Sequence, residues 1–338
     1  MNKLLKLGVS ALALSFVATS AQAGGQLSIY HWFEYIPQEL LDKFSAEHDV
    51  EVTMDTYDSN EAMLASLKAG KLGSYDVAVP GDYMVEIMAA QGMLDTFKRS
   101  ELSNFGNISK QWVDVGFDMG RKSSIPYQWG STGFSVNTSV YKGDINTTDI
   151  IFNPPAELKG KINVLDSQGE VMALAAIHMG IPQCSTDRDE LKDLNDMLQA
   201  AKANWASFGS DIAKDVLVSG DAAAGMIYNG FSAKAREENS DVTYAFPKQG
   251  YVVWMDNVVL LKDAPNRDNA IKFLNFMLEP ENAAAVSNYA QYTPGVDGAA
   301  PYLDAAVTGA PELNPPADQP GQFVQACAED VQKVYDTI

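Results

Sequence analysis

The 338 residues are 46% hydrophobic and 10% aromatic, and 24 Lys+Arg against 44 Asp+Glu give a formal net charge of −20 at pH 7. With 25 glycines and 15 prolines the composition is neither disordered nor fibrous, and the length suits two domains. Acidity this strong argues against a nucleic-acid binder, which needs a basic face for phosphate, and it disfavours an anionic membrane surface.

Residues 1–23 read as a secretory signal peptide: Lys3 and Lys6 lead an apolar run from Leu7 to Ala18, and Ala21-Gln22-Ala23 supplies a small-x-small cleavage site. The run is shorter than the roughly 20 residues of a membrane-spanning helix. Export places Cys184 and Cys327 in an oxidising compartment, where an even count permits one disulfide; two separately buried thiols are the alternative. His31, His48 and His178 stand far apart in sequence, without metal-ligand spacing. Nucleophile elbows, phosphate loops and dinucleotide fingerprints are missing from the sequence, so no catalytic residue, metal site or cofactor is expected.

In chain order, residues 27–32 alternate like a strand, and Pro37 opens a helix with Leu40, Leu41 and Phe44 on one face. A strand at 51–57 follows; Asp58 with Glu61 resembles a capping box for a helix carrying Met63, Leu64 and Leu67 and stopped by Gly70. The apolar run 75–79 predicts a strand ending at Pro80-Gly81, after which Asp82 is expected to cap a helix running to Gly92. This alternation predicts a largely parallel sheet covered by helices on both faces. A second series has extended segments at 124–129 and 132–137 separated by Gly130, then a strand at 161–165 and a helix at 170–179. Helices at 188–203 and 211–219, strands at 222–228, 242–246 and 252–261, and a helix at 266–278 complete it. Two α/β series of similar size imply two lobes.

Open α/β sheets bind ligands outside the carboxyl ends of their strands. The residues there form one chemical set: Trp32, Glu34 and Tyr35; Asp82 and Tyr83; Glu170; Tyr228; and Trp254 with Asp256. Carboxylates beside aromatic faces suit an organic cation, through charge-assisted hydrogen bonds and about 0.5–2 kcal/mol of cation–π attraction. Taken singly, a strand-end Trp reads first as core packing and Asp82 as a helix cap; the set together carries the cation reading. Trp254 and Asp256 make a better pair, because period-two alternation puts both on one face. Paired acids also fit glycoside hydrolysis, if their separation is right.

The segments Ile29-Tyr30-His31-Trp32-Phe33-Glu34-Tyr35-Ile36-Pro37, Tyr57-Asp58-Ser59-Asn60-Glu61, Tyr75-Asp76-Val77-Ala78-Val79-Pro80 and Ile125-Pro126-Tyr127-Gln128-Trp129-Gly130 carry a family resemblance. Met226-Ile227-Tyr228-Asn229-Gly230, Trp254-Met255-Asp256 and Tyr292-Thr293-Pro294 continue it. Together they resemble the spermidine/putrescine-binding periplasmic proteins of bacterial polyamine ABC importers, over about residues 26–300. The resemblance implies a two-lobed α/β periplasmic binding fold, each lobe a central sheet flanked by helices, with the ligand cleft between them. Residues 24–132 with 255–300 would form lobe one, and 133–254 with 301–338 lobe two. A polyamine would be the ligand, an ABC permease of the inner membrane the partner, and a monomer suits such a receptor.

By position, the resemblance implies that Trp32, Tyr35, Tyr83 and Trp254 flank the methylene chain, that Glu34, Glu170 and Asp256 hold amines, and that Ser210 and Tyr292 are polar cleft positions. Four positions depart from the pattern. Ser167 stands where an acid is common, Tyr228 where Trp is usual, Gly81 where a hydroxyl residue is usual, and Phe33 in place of a small hydroxyl residue. Asp82 adds an acid nearby. One fewer acid at 167 weakens the case for a triamine and favours a diamine or another polyamine-like cation, spermidine and agmatine included. An exported sensor subunit and a secreted hydrolase using two cleft acids are the competing functions.

Overall fold

The computed structural model describes residues 24–316, 319 and 321–338, so the expected signal peptide lies outside the described residues. β1 (Gln26–Trp32) fully buries Leu27 and Ile29 and pairs in parallel with β2 (Glu51–Tyr57). α1 (Gln38–His48) connects them and turns Leu40, Leu41 and Phe44 inward, as its apolar spacing requires. α2 (Asn60–Ser66) is capped by Ser59, whose Oγ accepts from the Ala62 N–H at 3.1 Å, rather than by the Asp58–Glu61 box. The helix passes into a π turn over Leu67–Lys71, in which Gly70 takes φ 111°.

β3 is shorter than expected, Val77–Ala78, and lies parallel to β1. α3 (Asp82–Ala90) follows, but its N-cap is Gly81 and Asp82 is its first helical residue. The physical reason is an antiparallel bridge between Gly81 and Asp256, which keeps the backbone extended as far as Gly81. After a hairpin of β4 (Asp114–Val115) and β5 (Asp118–Met119), the two segments expected around Gly130 form one unbroken strand, β6 (Ser124–Asn137). Gly130 is required by crowding rather than by flexibility: a Cβ there would stand 2.5 Å from Asn229 Oδ1 and 2.6 Å from Trp254 Cζ2.

The second series comprises α4 (Asp149–Phe152), β7 (Ile162–Val164), α5 (Gln168–Met179), α6 (Arg188–Lys202) and β8 (Trp205–Phe208). It continues with α7 (Ala213–Ser219), β9 (Ala224–Tyr228), α8 (Asn229–Glu238) and β10 (Val242–Ala245). β11 (Tyr251–Leu260) then returns antiparallel to β6. α9 (Arg267–Met277), α10 (Pro280–Ala290), β12 (Thr293–Pro294), α11 (Ala305–Thr308), β13 (Gly321–Phe323) and α12 (Glu329–Tyr335) complete the described chain.

The sheet order β2-β1-β3-β11-β6-β9-β7-β8 is mixed rather than largely parallel. β1 with β2 and β3, and β7 with β8 and β9, are parallel; β6 and β11 run antiparallel to each other, β6 also to β9 and β11 also to β3, while β13 adds to β11 in parallel. Both long strands traverse the molecule, and each feeds two cores. β6 gives Ile125 to one core and Phe134 to the other, and β11 likewise gives Val258 and Val252. The first core also holds Phe44 and Phe273, the second Leu174, Met226 and Val331 from the C-terminal helix. The result is a two-lobed α/β molecule whose lobes share a pair of crossing strands. Cys184 and Cys327 form a disulfide, Cα atoms 5.2 Å apart, tying the C-terminal segment to the second core.

Candidate functional site

Where the two long strands cross, β11 meets an irregularity. Met255 pairs with Trp129 and Asn257 with Pro126, so Tyr127 and Gln128 together oppose the single residue Asp256. Bulges of this kind re-aim a side chain beside a binding site. Arg121, 1% exposed, supports this one from behind, donating to Asn257 Oδ1 at 2.7 Å and to Ser124 Oγ at 3.1 Å, while Asn257 Nδ2 donates to the Met255 carbonyl at 2.8 Å.

A continuous run of contacts leads from Asp256 to the other lobe. The Tyr35 hydroxyl donates to Asp256 Oδ2 at 2.9 Å, and the Tyr35 ring lies 5.7 Å from that of Tyr292. Tyr292 meets Trp254 edge-on at 4.9 Å, and Trp254 meets Tyr228 at 6.0 Å. The Tyr228 hydroxyl then donates to Glu170 Oε2 at 2.9 Å, while Thr132 Oγ1 donates to Oε1 at 2.6 Å. Trp254 and Asp256 are therefore linked through Tyr292 and Tyr35, whose rings meet each other. Trp32 packs on Tyr57 at 4.6 Å, and Tyr83 donates to Glu61 at 2.8 Å while accepting from Asn60 at 3.1 Å.

Burial is the dominant electrostatic influence. It lifts the Asp256 carboxyl from 3.8 to about 7, opposed by the Tyr35 hydrogen bond and reinforced by the Glu170 charge. Asp82 is held well above the ordinary carboxylate range by burial, the Tyr83 N–H opposing and Asp256 and Glu170 adding like charge. Glu170 is raised by burial against the hydroxyls of Thr132, Tyr228 and Ser167, and Glu61 adds to the rise. Among the described residues none of the three acids is paired with Lys or Arg, and no His/Cys/Asp/Glu group could hold a metal ion. Buried polar atoms without partners gather in the same region: Nε1 of Trp32 and of Trp254, Oδ2 of Asp82, and both amide atoms of Gln128. Buried polar groups are normally satisfied, so this concentration marks a place built for a bound molecule.

Trp32, Tyr35, Asp82, Tyr83, Glu170, Tyr228, Trp254, Asp256 and Tyr292 thus share one neighbourhood, with Gly81 bridged to Asp256 and the Ser167 hydroxyl supporting Glu170. Three expected residues stand apart. Phe33 is 66% exposed, Glu34 is exposed at φ 49° with its charge felt by Lys234, and the Ser210 hydroxyl turns to Asp166. Thr132, Asn60 and Gln128 are additions that sequence reasoning passed over. Asn60 left a signal, since it lies in a block quoted for the resemblance, and it accepts from the Gly81 N–H at 3.1 Å.

Residues 39–315 match the family model described as bacterial extracellular solute-binding protein. The chain belongs to that family. This solute-binding protein is 34% identical over 287 residues to the spermidine/putrescine-binding periplasmic protein of Escherichia coli, covering 85% of this chain and 82% of that one. It is 31% identical over 332 residues to a putrescine-binding periplasmic protein of Pseudomonas aeruginosa, covering 92% and 90%. Among solved structures, a spermidine/putrescine ABC transporter protein of Listeria monocytogenes superposes with a TM-score of 0.85 at 31% identity, covering 92% of this chain and 97% of the other. The solute-binding protein is accordingly a receptor of the periplasmic binding type rather than an enzyme. No helix among its described residues is long and apolar enough to cross a membrane.

Proposed function

We propose that this solute-binding protein captures a polyamine, a linear cation of the putrescine and spermidine class, between its lobes and delivers it to an ABC importer. The observation that carries this reading is the set of three buried carboxylates, Asp82, Glu170 and Asp256, walled by tyrosine and tryptophan with no basic partner among the described residues. An ammonium presents three donors, so a carboxylate with one or two neutral oxygens satisfies it. Asp256 and Glu170 serve the amines, from opposite ends of the contact run. Trp254, Tyr292, Tyr228 and Tyr35 wall the methylenes, each buried CH₂ contributing about 0.8 kcal/mol. The names of the relatives agree with this chemistry.

In this reading residues 24–132 with 255–300 move as one lobe and 133–254 with 301–338 as the other, hinged on β6 and β11. Closure excludes water, strengthens each ion contact and presents the loaded form to the permease. Residues 1–23 are removed on export to the periplasm, and the mature receptor works as a monomer.

Calorimetry on the refolded, ligand-free mature chain tests the reading, with putrescine, cadaverine, spermidine, spermine and agmatine set beside neutral sugars and acidic amino acids. Heat from the amines alone is expected. Binding confined to uncharged or acidic solutes removes the cation assignment.

A further inference from the structure

Asp82 carries more charge chemistry than the start of a helix requires. An acid in the first turn gains about 0.3–1 kcal/mol from the helix dipole when exposed, and a neutral Ser or Asn serves the same orphan N–H groups. Here the carboxylate is 2% exposed; Oδ1 accepts from the Tyr83 N–H at 2.8 Å, and Oδ2 is buried without a partner. Leaving a carboxylate oxygen desolvated and empty costs more than the dipole returns.

Its position explains what the oxygen is for. Gly81 is bridged to the backbone of Asp256, so the next side chain opens beside that acid, and Asp82 feels the charges of both Asp256 and Glu170. The cleft therefore holds three carboxylates, two contributed by the lobe of Tyr35 and one by the lobe of Tyr228. A dication leaves one of them uncompensated in a buried site; a trication balances all three.

We propose that Asp82 is a third ammonium ligand, and that it makes the cleft selective for a linear polyamine with three charged nitrogens over a diamine. This rests on the polyamine reading and reverses the preference that Ser167 alone suggests. The ligand's third ammonium donates to Asp82 Oδ2, the oxygen that no protein group reaches.

The test is calorimetry with spermidine and putrescine on the full mature chain, on Asp82→Asn and on Asp82→Ser, together with melting temperatures of the three ligand-free proteins. Asn and Ser both keep an acceptor for the helix N-terminus while removing the charge, so an affinity loss shared by the two variants with the melting temperature held reports ligation and not capping. The wild type is expected to bind spermidine more tightly than putrescine. Both variants should lose about ten- to a hundredfold for spermidine, the worth of one hydrogen bond to a charged group, and less than about threefold for putrescine. Ligand-free melting temperatures should hold or rise, because a crowded like charge is gone. A parallel loss for the two amines, an unchanged ratio, or a wild type that prefers putrescine overturns the role of Asp82 and leaves the polyamine reading standing. Binding of neither amine to the wild type overturns the polyamine reading itself.

Discussion

The Tyr35 hydroxyl and Asp256 Oδ2 are joined by a 2.9 Å hydrogen bond across 221 residues of sequence. Tyr35 follows the first strand and Asp256 lies in the last long one, so this bond exists only because β3 brings β1 and β11 into one sheet. Replacing Tyr35 with Phe keeps the ring against Tyr127 and Tyr292 and removes only the donor. Asp256 then ionises less readily, and cation affinity at pH 7 should fall by about tenfold, recovering as the solution is made more alkaline. Calorimetry of the variant at several pH values checks both halves; an affinity equal to wild type at pH 7 removes Tyr35 from the site.

The pH dependence has a definite sign. Asp256 titrates near 3.8 in an unfolded chain and at about 7 in the fold, so between those values the folded protein holds the extra proton. Stability of the ligand-free protein should therefore fall as pH rises through that window, with Asp82 and Glu170, both raised, acting in the same direction. Cation affinity should run the other way, increasing as pH approaches and passes 7. Melting curves and calorimetry over the window should show the opposed trends, and Asp256→Asn should flatten both. Stability that climbs across the same interval contradicts the assignment.

Gly130→Ala places a methyl group 2.5 Å from Asn229 Oδ1 and 2.6 Å from Trp254 Cζ2, so the indole, which packs on Tyr292, must shift. Amine affinity should drop by at least about tenfold, since the aromatic wall supplies both methylene burial and cation–π contact. A variant that melts lower yet binds as well as wild type would make Trp254 a packing residue only.

Cys184 and Cys327 are separated by 143 residues and both pack on the second core. Closing a loop of that length is worth at most about 5 kcal/mol in the chain-entropy picture. Replacing both by Ser should lower the melting temperature by several degrees and leave amine affinity within about threefold. A large loss of affinity would mean that the C-terminal segment shapes the cleft.

Much of the fold was readable from local pattern. The apolar stripe of Leu40, Leu41 and Phe44 and the α/β alternation depend on spacing within a segment, and those elements form close to their expected places. The differences cluster where distant segments meet. Asp82 looked like a cap because the bridge from Gly81 to Asp256 is invisible in sequence, and Gly130 looked like a break because nothing local reveals Trp254 lying against it. Ser210 and Phe33 matched a pattern, yet the hydroxyl is taken by Asp166 and the ring faces solvent.

The sequence by itself determined the two α/β series, the acidic and aromatic chemistry at their strand ends and the receptor class, because composition, periodicity and ordered motifs are local properties of the chain. Only the tertiary structure decided which acids are buried near one another. Burial, like-charge proximity and an unpartnered oxygen depend on what the opposite strand and the opposite lobe bring within a few ångströms. That is why Asp82 and Glu34, both candidates from the sequence, part company in the fold, Asp82 buried and Glu34 at the surface.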